Sequence, residues 1–171
     1  QIEANAIVTQ FMWREMYANG LSDLQFVIDQ SKVEENWTFY LMGTIVQAFG
    51  WQVMVDLYDK IPYTEAFMGD AAIPNYNPKF DNGVDIYKDL ITRIDTALSK
   101  PFNEISSTQA KADMLWTNNA LAFNTRIDNW IAFANTLKLK MYLRMMYVDP
   151  AFAQAGVAAL YASGATFLKE N

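Results

Sequence analysis

Residues 37–55 carry no charged side chain, and the apolar run stops abruptly where Asp56, Asp59 and Lys60 arrive together ahead of Pro62. Such a pattern predicts one long helix over residues 35–58, apolar on nearly all sides, ended by a polar turn that leads into an extended Ile61-Pro62-Tyr63 segment. Gly43 and Gly50 fall seven residues apart on one face of it, where another helix can approach closely. Upstream, Ile7, Phe11, Arg14 and Ala18, with Val8, Met12, Glu15 and Met16 beside them, mark a first helix that Asn19-Gly20 is expected to stop. Ser22 is then expected to cap a second helix, on which Leu24, Val27, Ile28 and Ser31 keep helical spacing. The two predict a helical hairpin, with Trp13 and Tyr17 as packing residues.

Downstream, residues 68–81 hold prolines, asparagines and a glycine without usable periodicity, which predicts a long ordered loop. Tyr76 and Phe80 in it either anchor the loop or present an aromatic face outward. Asp81 or Asn82 caps a fourth helix with Asp85 in its first turn, and Tyr87, Leu90, Ile91, Ile94 and Leu98 form its apolar stripe until Lys100-Pro101. Residues 102–124 read mostly as loop, with a short turn at 108–114 and with Trp116 and Asn118 in the second half. Thr125 and Asp128 resemble a capping box for a fifth helix that turns Ile127, Trp130, Phe133, Ala134, Leu137, Met141 and Met145 inward. Its late Lys138, Lys140 and Arg144 favour the helix dipole. Asp149-Pro150 starts a sixth helix, which runs through Val157 and Leu160 to Gly164. Six helices without period-two alternation predict an all-α fold of paired antiparallel helices with long loops, in one helical domain over residues 1–171.

Composition narrows the function. Hydrophobic residues make up 52% of the 171, enough for a core and too many for a disordered chain. A net charge of -6 with thirteen scattered basic residues argues against nucleic acid as a partner. The chain has no Cys and no His, so disulfides, thiolate chemistry, His-based catalysis and ordinary zinc sites are excluded within it. The apolar segment is long enough to raise a membrane crossing. Gln47 and Gln52 inside it, acidic flanks (Glu34, Glu35, Asp56, Asp59) and the lack of a Lys/Arg cluster favour a helix buried among other helices instead. Gln1 opens the chain without a basic region and apolar core, and the chain stops just after a helix; both features read as an excerpt from a longer protein.

Candidate chemistry is sparse. Asp56 with Asp59 or Glu65 is a pair of carboxylates available for acid and base work in a hydrolase, but acids at a helix end more often cap or pair. Their spacing matches no calcium loop, and the seven glycines are all isolated, so there is neither phosphate loop nor nucleophile elbow. No catalytic residue, metal site or cofactor is assigned. Trp37, Tyr76 and Trp116, near expected helix ends or loops, are the aromatics placed to stack on a ligand.

Three segments in order, DLYDKIPYTEAF, then PNYNPKFDNGVDIYKDLITRIDTALSK, then NWIAFANTLKLKMYLRM, resemble the SusD/RagB family of outer-membrane nutrient-binding lipoproteins. Asp56, Leu57, Tyr58, Ile61, Pro62, Tyr63, Glu65 and Ala66 match the family's turn after a long helix. Trp130, Phe133, Ala134, Asn135, Leu137, Lys138 and Leu139 match its later helix. Asp59 stands where the family usually has Gly, Lys60 replaces an Asp, and Lys140 an Arg. The resemblance implies a scaffold similar to tetratricopeptide repeats in a non-catalytic surface lipoprotein. It would capture a glycan or peptide and deliver it to a SusC-like TonB-dependent transporter, facing the cell exterior, held at the outer membrane by a lipid anchor that this chain does not contain. Helix pairing alone equally suits a helical-repeat module for protein partners.

Overall fold

A computed structural model describes residues 6–69, 72–101 and 123–169. Among them the elements follow in the order α1 (Ala6–Glu15), a π-helical turn (Met16–Leu21), α2 (Ser22–Val33), α3 (Trp37–Tyr58), β1 (Ile61–Pro62), β2 (Phe80–Asp81), α4 (Gly83–Leu98), α5 (Phe123–Met145) and α6 (Pro150–Ala162). The fold is all-α, its sheet reduced to one antiparallel bridge that pairs Ile61 with Asp81 and Pro62 with Phe80.

The expected hairpin between the first two helices does not form. Gly20 keeps a right-handed backbone, so Asn19-Gly20 cannot act as a left-handed stop. The chain widens into a π turn and continues, with right-handed helical residues Glu15 and Ser22 on either side. Ser22 caps nothing: its hydroxyl donates to the Ala18 carbonyl at 2.9 Å, as serines inside helices do.

The true hairpin joins α2 to α3. Asn36 N–H donates to the Ser31 carbonyl (2.9 Å) and Glu35 N–H to Lys32 (3.3 Å), the paired bonds of a Schellman end, with Glu35 at φ 51° in the place glycine usually fills. Asn36 then caps α3 by accepting from Phe39 N–H at 3.3 Å. The helix therefore starts at Trp37, two residues later than the pattern suggested. Its two glycines do face the neighbour, as their spacing implied. A Cβ on Gly43 would lie 3.2 Å from Ile28 Cγ1, and one on Gly50 2.9 Å from Leu21 Cδ2.

Later helices return in the same antiparallel manner. Asn82 is the cap of α4, accepting from Val84 N–H at 3.0 Å. Asp149 caps α6, and Gly164 (φ 69°) closes it with the bonds Ala165 N–H to Leu160 and Gly164 N–H to Tyr161. α5 begins at Phe123, so Thr125 lies within the helix and not ahead of it. The loop expected over residues 102–122, Trp116 included, lies outside the described residues. Lys138 does not simply serve the α5 dipole: it is buried and its ammonium pairs with Asp95 on α4. The core gathers around α3, where Leu41, Ile45, Trp51 and Met54 meet Leu90 and Ile94 of α4, and Trp130 of α5 closes it. No helix among the described residues is long and apolar enough to cross a membrane.

Candidate functional site

Behind β1 the chain makes a turn that is hung on a single carboxylate. Asp81 accepts from Tyr63 N–H (3.2 Å), Thr64 N–H (2.7 Å) and the Thr64 hydroxyl (2.9 Å). Burial alone would raise its pKa, but these bonds and the nearby charge of Lys79 outweigh that and hold it below the usual carboxylate value. Glu65 fixes the other side of the turn, accepting from Asn75 Nδ2 at 2.9 Å and Lys79 N–H at 3.0 Å. The long loop is thus anchored by Asn75 and Lys79, while Tyr76 and Phe80 stay mostly exposed, at 78% and 62%.

The turn forms one wall of a cleft of about 380 Å³ between α2, α3 and α4. Tyr63 and Phe67 come from the turn, Gln25 and Asp29 from α2, Asp89 and Arg93 from α4, and Trp51 lies at the base. Trp51 meets Tyr63 edge to face at 5.1 Å and Phe67 at 5.8 Å, so the rings brace one another. The polar groups form one chain. Tyr63 donates its hydroxyl proton to Asp89 and accepts from Arg93 Nη1 at 3.0 Å. Arg93 Nη2 donates to Gln47 Oε1. Gln47 Nε2 in turn donates to the Leu21 carbonyl (3.0 Å) and to Gln25 Oε1 (3.1 Å), and Gln25 Nε2 donates to Asp29 at 2.8 Å. Burial pushes the Tyr63 phenol well above its ordinary value, the Arg93 charge opposing and Asp89 reinforcing the shift, so it is neutral at any physiological pH. Donors, acceptors and aromatic faces side by side suit a polyhydroxylated ligand held by hydrogen bonds and ring contact.

A family model for SusD-like proteins, described as starch-binding and associating with the outer membrane, matches residues 3–171. The chain belongs to the SusD-like family. No curated protein compared with it matches. SusD-like proteins are binding proteins, and the family associates glycan binding with the outer membrane.

In this SusD-like chain the motif acids are structural. Asp56 accepts from Gln52, from the Tyr87 hydroxyl and from Arg144 (3.1 Å), which ties α3 to α4 and α5. Asp59 ends α3, and Glu65 holds the loop, so these carboxylates do not converge on a common point. Among the described residues no group of three His, Cys, Asp or Glu side chains is placed to hold a metal ion.

Of the three aromatics singled out from the sequence, the two among the described residues are not brought together. Trp37 is half-buried at the start of α3, crossed by Tyr40 at 5.7 Å and covered by the Lys100 ammonium at 4.7 Å. Tyr76 belongs to the loop that follows the other end of that 22-residue helix, which is itself about 33 Å long. Trp116 lies outside the described residues. The cleft residues were missed because they come from four separate segments. One signal did point there: Gln47, an amide in the middle of a charge-free helix, requires a buried hydrogen-bond partner.

Proposed function

We propose that this SusD-like chain is part of a non-catalytic nutrient-capture protein, exposed at the cell exterior and anchored by lipid to the outer membrane. It binds a glycan or peptide there and passes it to a SusC-like TonB-dependent transporter. The observation that carries this reading is the family match over residues 3–171. The cleft between α2, α3 and α4 is the proposed place of ligand contact, with Phe67 and Tyr63 as its aromatic faces. Tyr76 is accessible for further stacking; Trp37 stands away from the cleft, and Trp116, outside the described residues, belongs to the proposal from the sequence alone. The network through Asp56 supports the absence of catalysis, since its carboxylate is already committed to Tyr87 and Arg144.

The test is made on the full-length protein. Binding to a glycan array without release of reducing ends, together with co-purification of a TonB-dependent transporter from detergent-solubilised membranes, is the expected result. Hydrolysis of the bound glycan that disappears in Asp56→Asn or Glu65→Gln would overturn it, as would recovery of soluble partners alone.

A further inference from the structure

Arg93 is half-buried, and among the described residues its guanidinium has no carboxylate partner. Two of its N–H groups are taken by Tyr63 and Gln47, and a guanidinium has five. Asp89 stands one helical turn before it on α4, and Tyr63 binds both, so the charged pair is held side by side at the cleft. The Arg93–Tyr63–Asp89 arrangement therefore offers free donors beside a free acceptor. A hydroxyl group can accept from the first and donate to the second, whereas a carboxylate near Arg93 faces the charge of Asp89 and has no proton to give it. Asp29, a second carboxylate at the same cleft, adds to the repulsion of an anion, offset in part by Lys32 at 3.3 Å.

Gln47 explains how the arginine is kept in place. Its amide is fully buried, its nitrogen is fixed by the Leu21 carbonyl at the end of the π turn and by Gln25, and its oxygen is thereby aimed at Arg93. A long side chain that would otherwise sample many rotamers is oriented before any ligand arrives.

We infer that Arg93 and Asp89 are the specificity-determining residues of this cleft, that they select adjacent uncharged hydroxyls over a hexuronate, and that Gln47 is the positioning residue for Arg93. The inference rests on the reading of the protein as a glycan-capture subunit.

The experiment is calorimetric titration of the full-length protein with a neutral gluco-oligosaccharide and with a hexuronate oligomer of the same length. The wild type binds the neutral ligand and not the acidic one. Arg93→Ala and Asp89→Ala each weaken neutral binding about tenfold or more, the loss expected for hydrogen bonds to charged groups. Arg93→Lys, which keeps the charge and loses the fork, weakens it too and covers the case in which the alanine variant does not fold. For Gln47 the readout is rescue: Gln47→Glu loses the donor to Leu21 and Gln25 but sets a charged acceptor against Arg93, and keeps more affinity than Gln47→Leu, both measured well below their melting temperatures. Unchanged affinity in the Arg93 and Asp89 variants overturns the inference while leaving glycan capture intact. Tighter binding of the hexuronate overturns the selection. Equal loss in the two Gln47 variants reduces that residue to a structural one, and failure of the wild type to bind either saccharide overturns the inference while leaving capture of a different nutrient to the glycan-array and transporter test.

Discussion

Asp59 closes α3 in a strained conformation. Its φ of 61° and ψ of -65°, with Lys60 N–H donating to the Tyr58 carbonyl at 2.7 Å, define a γ-turn of the rare positive-φ kind. The positive φ was readable in advance, because Asp stands where the resembling family carries Gly. Among the described residues its side chain makes no hydrogen bond or ion pair, so Asp59→Gly removes strain without breaking one. It should stabilise the protein by about 1 kcal/mol, seen as a rise of about 2–4 °C in thermal unfolding. Asp81 could be read only as a cap candidate; Asn82 takes the cap, and the carboxylate goes to Tyr63 and Thr64 instead. Because its folded pKa is depressed, its contribution is complete above the ordinary value near pH 4 and is lost as pH falls through the lowered value. Asp149, lowered by Lys88 at 2.6 Å and by Phe152 N–H, behaves with the same sign. Acid unfolding followed by circular dichroism should therefore have a shallower limb in Asp81→Asn than in the wild type.

Elements with strong local signals came out as their patterns required. The α4 stripe of Tyr87, Leu90, Ile91 and Ile94 is buried, Asp149-Pro150 starts α6, and Gly164 ends it. The π turn did not, for a physical reason: Asn19-Gly20 permits a stop but does not impose one, and packing of Met16 and Leu21 against Gly50 of α3 favours continuation. Close approach decides the α5–α6 pair as well. A Cβ on Gly156 would lie 2.0 Å from the Tyr142 ring, which cannot yield without leaving its site. Gly156→Ala should cost about 1–3 kcal/mol by overpacking, measured as a lower denaturant midpoint with unchanged slope.

Across the whole molecule, α4 and α5 are joined by a buried cation. Lys138 has a side chain only 10% exposed, while its partner Asp95 is half-exposed. Removing Asp95 leaves an unpaired charge inside, whereas Lys138→Met removes charge and keeps bulk. Asp95→Ala should therefore destabilise more than Lys138→Met, by on the order of 1–2 kcal/mol once the exposure of Asp95 is allowed for, as compared in urea unfolding. The candidate cleft belongs to the same scale. Its Gln25, Gln47, Tyr63 and the Asp89–Arg93 pair come from four separate stretches of the chain, and no local pattern links those stretches.

By itself the sequence determined the helical class, the long buried helix, the caps of α4 and α6 and the family, because periodicity, capping chemistry and ordered motifs act over a few residues at a time. Only the tertiary structure decided that the first two helices run on through a π turn, that Asp81 holds a turn, and that a buried glutamine aims an arginine into a cleft. Those outcomes depend on which distant groups meet, since a buried donor or acceptor takes whatever partner packing brings to it.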